Sequence, residues 1–459
     1  MGHILRCISP IDGSVFAERE ALSPEAARQA ADRARAAQAE WAARPLRERI
    51  DLVRAGIAAV GAMNDELVPE LAQMMGRPVR YGGEFGGFEE RGNHMATIAE
   101  EALADIAVGE DATVKRYIKR IPHGVVLVVA PWNYPYMTAI NTVAPALIAG
   151  NSVLLKHATQ TLLAGERMAR AFHSAGVPEA VFQNVFLDHA TTSTLLADRA
   201  FDFVNFTGSV DGGRAMEQAA AGTFTGLGLE LGGKDPGYVM EDADLDAAVA
   251  ALIDGAMFNS GQCCCGIERI YVHESLYEAF VDKAVAIVEG YKLGNPLAAD
   301  TDIGPMANIR FAREVRSQID EALAAGARAH VMQKPEDDGG TYLSPQILTE
   351  VTHDMRVMRE ETFGPVVGIM KVSGDEEAIR LMNDSRFGLT ASLWTADIAR
   401  AQRVGDRVET GTVFMNRADY LDPGLCWTGC KESGRGGGLS VIGYHNLTRP
   451  KSYYLKKTT

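Results

Sequence analysis

Long apolar runs are missing from this sequence. Nothing approaches the ~20 residues that a helix needs to cross a bilayer, and the densest stretch, Val125–Ala130, has the length of a strand. The opening MGHILRCISP lacks the apolar region of a secretory signal, and Arg6 stands where a myristoylation signal has Ser or Thr. Positive charge is in deficit. There are 45 Lys and Arg against 60 Asp and Glu, a net −15, which argues against nucleic acid and anionic membrane as partners. Cysteine is sparse, six in 459 residues with three consecutive, which excludes a disulfide framework and fits a reducing compartment. There is no internal repeat, low-complexity tract or charged tail. The expectation is a soluble cytoplasmic protein with no membrane and no nucleic-acid partner.

What is present is an ordinary globular composition, 47% hydrophobic and 23% charged. At roughly 100–200 residues per domain the length predicts two to four domains. Ile8–Val15 reads as a strand with a Pro-Ile-Asp-Gly turn, and Ser23-Pro24-Glu25 as the start of an Ala-rich helix running to Ala43. Further helices are expected over about Arg47–Met63 and Asp65–Met75. From residue 113 the pattern alternates. Strand Thr113–Arg120, the buried run Val125–Ala130, helix Thr138–Ala149, strand Ser152–Leu155 and a helix from about Leu162 to Ala175 succeed one another. That alternation predicts a parallel sheet with helical crossovers, so 124–231 is a doubly wound nucleotide-binding candidate. The second half alternates again, with a helix over about Leu245–Phe258, and Ser452–Lys456 is a strand that must add to a sheet elsewhere.

Four places can carry chemistry. Cys264 follows Gly-Gln at the exit of a helix, where a thiolate could face a cleft; it could equally be a small buried hydrophobe. Asn133, between Pro131 and Pro135, leaves the end of a buried strand, placed either to donate to an oxyanion or to cap its own turn. Glu230 ends an apolar stretch and is either a base with a raised pKa or a solvated carboxylate. Gly208, Ser209 and Gly213 open a helix and could offer N–H groups to a phosphate, although they form no GxGxxG pattern. Three adjacent cysteines are not expected to converge on a tetrahedral ion, so no metal site is expected.

Taken together, PWNYP (131–135), GNSVLLK (150–156), FTGS (206–209), ELGGKDP (230–236), FNSGQCC (258–264), EETFGPV (360–366) and GTVFMN (411–416) resemble the aldehyde dehydrogenase superfamily. MGRP (75–78) and NDSRFGL (383–389) fit as well, in the family's order. The resemblance implies an α/β fold with a Rossmann-like cofactor domain (1–111 and 124–231), a catalytic domain (232–429) and a small β oligomerisation arm (112–123 and 430–459). It implies NAD(P)+-dependent oxidation of an aldehyde to an acid through a cysteine thioester, with Cys264 the nucleophile, Glu230 the general base and Asn133 an oxyanion donor. Trp132, Lys156, Thr159, Gly208, Ser209, Gly213, Glu361 and Phe363 are the implied cofactor residues.

The expected substrate lining is Tyr134, Thr138, Asn141, Phe258, Cys263, Cys265, Arg417 and Tyr420, with Asp419 nearby. Arg417 invites an acidic semialdehyde, while a salt bridge to Asp419 would neutralise it. Three places depart from the family pattern: His157 stands where Pro is usual after Lys156, Thr159 where NAD-preferring members often carry Glu, and the glycine-rich stretch from Ser433 lacks the usual Gly-Arg-Glu. NAD is the expected cofactor, with NADP open. The aldehyde is a small molecule, and a homodimer or homotetramer is expected because the arm exposes a strand edge. A cofactor-independent thiol esterase, a CoA-acylating relative and a non-enzymatic scaffold are the competing readings; the presence of Glu230 with Cys264 and Asn133 speaks against the last two.

Overall fold

A computed structural model describes residues 3–457. Two parallel sheets dominate it. The first runs Gly434–Arg435, Gly226–Glu230, Phe203–Thr207, Val125–Ala130, Ser152–His157, Phe182–Asn184, and its central strands pair in parallel. Val125–Ala130 is buried on both faces, which is why it reads as an unbroken apolar run. Helices Pro24–Ala43, Pro135–Ala149, Leu162–Ser174 and Val210–Ala220 flank this sheet. The chain leaves Val125–Ala130 toward one side of the sheet and later returns to its other side with Phe203–Thr207. A switch in strand order therefore lies between these two neighbours, the place where open α/β sheets bind ligands.

The second sheet runs Arg328–Ala329, Gln346–Thr349, Val366–Val372, Ile267–His273, Asp235–Val239, Thr390–Trp394, Thr412–Met415. Only residues 231–234 separate Gly226–Glu230 in the first sheet from Asp235–Val239 in the second. The carboxyl ends of the first sheet's strands thus face the amino ends of the second sheet's strands. The loops before Ile267–His273 and Val366–Val372 enter the space between them.

Element positions differ from the sequence reading in a few ways. Ile8–Val15 is the turn of a hairpin, with strands Ile4–Ile8 and Val15–Glu20 on either side. Helix Phe85–Ala102 was not anticipated, since Gly86, Gly87 and Gly92 disguise its apolar face of Phe88, Met95 and Ala99. The antiparallel arm sheet consists of Ile106–Glu110, Val114–Pro122 and Thr448–Lys456. It therefore begins before residue 112, and 430–447 lies outside it: Gly434–Arg435 pairs with Gly226–Glu230, and Cys430–Lys431 with Phe387–Gly388. Among the described residues no helix is long and apolar enough to cross a membrane.

Candidate active site

Pro131 ends the ladder of Val125–Ala130 and Pro135 opens the next helix, so Trp132 and Asn133 sit in a stiff turn at the strand's carboxyl end. Asn133 is buried, and its Nδ2 donates to the Gln262 carbonyl at 3.2 Å, which leaves one amide hydrogen uncommitted. Its backbone carbonyl accepts from Arg77 at 2.6 Å. Arg77 also donates to Asn259 Oδ1 (3.2 Å) and pairs with Glu84 (2.8 Å), whose other oxygen accepts from the amides of Tyr136 and Met137. One buried ion pair thus ties the Asn133 turn, the start of helix Pro135–Ala149 and the cysteine loop together.

That loop departs sharply from regular structure. After helix Leu245–Met257, Asn259, Ser260 and Gly261 all take positive φ (55°, 57° and 70°). A Cβ at Gly261 would run into the backbone of Gly364, so only glycine fits. Ser260 Oγ donates to the Gly304 carbonyl and Gln262 Oε1 accepts from the Ala307 amide, holding the turn. The result is that consecutive cysteines do not splay apart as they would in a strand. The sulfurs of Cys263, Cys264 and Cys265 all lie within 4.8 Å of one another, which overturns the steric argument made from sequence against their convergence. Cys263 and Cys265 are buried and donate to Asp419 Oδ1 at 3.2 and 2.9 Å. Burial pushes the Asp419 carboxyl well above the usual range, whereas the two flanking thiols, packed against its sulfur, hold the Cys264 thiol below its ordinary value. Cys264 is the one of the three that is not fully buried.

Glu230 ends strand Gly226–Glu230. Burial pushes its carboxyl up to about 7, against the smaller opposing effect of a hydrogen bond from Thr207 Oγ1 at 3.1 Å. Thr207 ends the neighbouring strand. Glu361 accepts from the Gly233 amide (3.0 Å), and burial, with Glu268 nearby, pushes it up to about 8. Behind it, Glu268 accepts from the amides of Thr362 and Phe363, both at 2.8 Å, and pairs with buried Lys234 at 2.7 Å. Phe363, at φ 52°, meets the Trp132 ring edge-on.

These groups line two cavities. The larger, about 670 Å³, is walled by Trp132, Asn133, Lys156, Thr159, Gly208, Ser209, Glu361 and Phe363, with Gln160, His189, Ser193 and Phe311 among residues the sequence did not single out. Gly213 does not line it: the Gly213 amide is bonded to the Ser209 carbonyl and its Cα packs on Leu231, because the helix begins at Val210 rather than near Gly213. Ser209 caps that helix through Gly212. His157 uses its ring to bond the Pro135 carbonyl at 3.0 Å, tying the strand end to the helix start.

The smaller cavity, about 230 Å³, is lined by Tyr134, Thr138, Asn141, Phe258, Cys263, Cys265 and Tyr420, together with Glu90, Arg91, Asp419 and Trp427. Arg417 is not in its wall. Its guanidinium lies over the Tyr420 ring, 3.7 Å from the centroid, and the Arg417–Asp419 salt bridge expected from sequence does not form because Asp419 turns to the cysteines. Thr207, Glu230, Leu231 and Cys264 line both cavities.

Comparison with known proteins agrees with this geometry. The sequence profile of the aldehyde dehydrogenase family matches residues 2–453. The chain is 36% identical over 364 residues to a succinate-semialdehyde dehydrogenase [NADP(+)] of Mycolicibacterium paratuberculosis, covering 79% of this chain and 77% of that one. It is 33% identical to the enzyme of that name from Deinococcus radiodurans, covering 92% and 88%. The crystal structure of succinate-semialdehyde dehydrogenase from Burkholderia pseudomallei superposes with a TM-score of 0.94 at 32% identity, over 99% of this chain and 94% of that one. With its fold and nearly its whole length matched, the chain belongs to the aldehyde dehydrogenase family.

Proposed function

We propose that Cys264 attacks the aldehyde carbonyl from the junction of the two cavities, with cofactor in the larger and substrate in the smaller. The observation that carries this is that Cys264 and Glu230 line both. The Cys264 thiolate forms the C–S bond, and the resulting alkoxide is met by the free Asn133 amide hydrogen and the Cys264 backbone N–H. Bound NAD(P)+ supplies the acceptor for the hydride that the former carbonyl carbon must lose. What then remains on Cys264 is a thioester. Glu230 takes a proton from water as its oxygen adds to that thioester, and the carboxylic acid leaves with the thiol regenerated.

Lys156, Thr159, Gly208 and Ser209 hold the adenosine and pyrophosphate end, and Trp132, Glu361 and Phe363 the nicotinamide end. Lys156 fits that role on its own evidence: it is buried, yet its ammonium has a single long contact, 3.4 Å to the His157 carbonyl. The relatives named above carry NADP(+) in their names, and no carboxylate stands at Thr159 to repel a 2′-phosphate. NADP+ is therefore the favoured cofactor, and a short semialdehyde the favoured substrate. Six free cysteines suit the cytoplasm, and pairing of the exposed arm edges supports a homodimer or homotetramer.

The test is NADPH or NADH formation across aliphatic, aromatic, polar and ω-carboxylated aldehydes, with Cys264→Ala as control. Turnover abolished by Cys264→Ala supports the assignment; equal turnover by that variant refutes it.

A further inference from the structure

Among the described residues the buried Lys and Arg side chains are well served, with two exceptions. Arg77 is paired with Glu84 and Lys234 with Glu268. Arg49 and Arg269 each donate to three backbone carbonyls. The exceptions are Lys156, in the cofactor cavity, and Arg91, in the aldehyde cavity. Arg91 is 9% exposed. Its Nη1 makes one long hydrogen bond, 3.3 Å to the Met137 carbonyl, its Nε is buried without a partner, and no carboxylate pairs with it among the described residues.

A second, independent group points the same way. Asn141, one helical turn beyond Met137, is 2% exposed, and neither its Oδ1 nor its Nδ2 has a partner. It lines the same cavity. Buried polar side chains are almost always satisfied, so two orphans lining one cavity mark where a ligand completes them. A guanidinium edge matches a planar two-oxygen acceptor, and an amide N–H adds a third donor.

We infer that Arg91 and Asn141 form a carboxylate receptor that selects aldehydes whose other end is a carboxylate. This rests on the reading of Cys264 as the aldehyde-attacking group. The acidic neighbours do not cancel the Arg91 charge. Glu90 is exposed to solvent and accepts from the Tyr420 hydroxyl at 2.8 Å. Asp419 is occupied by Cys263 and Cys265, with its carboxyl pushed well up by burial. Glu230 forms no ion pair with Arg91 among the described residues, and Arg91 is the smallest of the influences on its carboxyl.

The test compares kcat/KM for succinate semialdehyde and for butanal at saturating NADP+. The intact protein is expected to prefer the acid by about 100-fold or more. Arg91→Met is expected to reduce that ratio at least about 30-fold, chiefly through KM for the acid, with partial recovery in Arg91→Lys, and Asn141→Leu to reduce it several-fold. Any general effect on Glu230 or on folding falls on both substrates and cancels in the ratio. A measurement without substitutions covers the case of a variant that does not fold: succinate should inhibit butanal oxidation competitively and at least about tenfold more tightly than butyrate. An unchanged ratio in Arg91→Met, equal inhibition by the two acids, or preference for glyceraldehyde 3-phosphate overturns the receptor while butanal turnover leaves the enzymatic reading intact. Absence of turnover with every aldehyde overturns both.

Discussion

Replacing Glu230 with Gln tests the site's central claim by opposite effects on activity and stability. A carboxyl that titrates near 4.5 in the unfolded chain and at about 7 in the folded one holds its proton more tightly when folded. Its stabilising contribution is complete below about 4.5, declines as the pH rises and is lost once the pH passes about 7. At about 1.36 kcal/mol per tenfold, ionising it in place costs about 3 kcal/mol by pH 8. Glu230→Gln has nothing to ionise. The variant should therefore gain on the intact protein by about 2–3 kcal/mol between pH 5 and pH 8 in parallel urea unfolding curves. Turnover should move the other way, because the base that activates water is gone; a loss of about 10²–10⁴-fold in thioester hydrolysis is expected. The intact enzyme's hydrolytic rate should rise with pH through about 7, and the variant's should lack that limb. A pH-independent stability difference would refute the buried-base argument even if activity fell.

Three further outcomes follow from the geometry. Thr159→Glu places a carboxylate in the adenosine end of the larger cavity and should raise KM for NADP+ at least tenfold while sparing NAD+, as initial rates with both cofactors will tell. Arg77→Met strands Glu84, which is fully buried; a loss of about 3–5 kcal/mol in denaturant unfolding is expected, with unchanged stability sinking the idea. Light scattering of the intact chain should give at least twice 49.4 kDa, and a monomer would dispose of the arm as an assembly element.

The sequence was legible where a residue's role is set by its immediate neighbours. Two prolines around Asn133 announce a stiff turn whatever the rest of the chain does, and the glycine before Gln262 a backbone free to bend. The two-faced burial of Val125–Ala130 shows as an uninterrupted apolar run. Roles set by packing between distant elements were not legible. Arg91 lies on a helix disguised by three glycines, and its lack of partners exists only once Met137 and Asn141 are brought beside it. Arg417 was drawn to the substrate by its charge alone, whereas its side chain spends that charge on the Tyr420 ring. Gly213 was misplaced by a helix boundary of three residues, enough to turn an expected phosphate contact into a packing contact with Leu231. The cysteine convergence depends on three successive positive φ angles, which non-glycine residues seldom adopt.

Two cavities that share only Thr207, Glu230, Leu231 and Cys264 meet at the nucleophile and are otherwise walled by different residues, His189 and Arg310 in one, Glu90 and Tyr420 in the other. With cofactor in the larger and aldehyde in the smaller, as proposed, product acid and reduced cofactor rest against different walls, so the presence of one need not exclude the other. In steady-state terms, the acid should compete with aldehyde and not with cofactor, and slow cofactor departure alone can set the pace of the cycle.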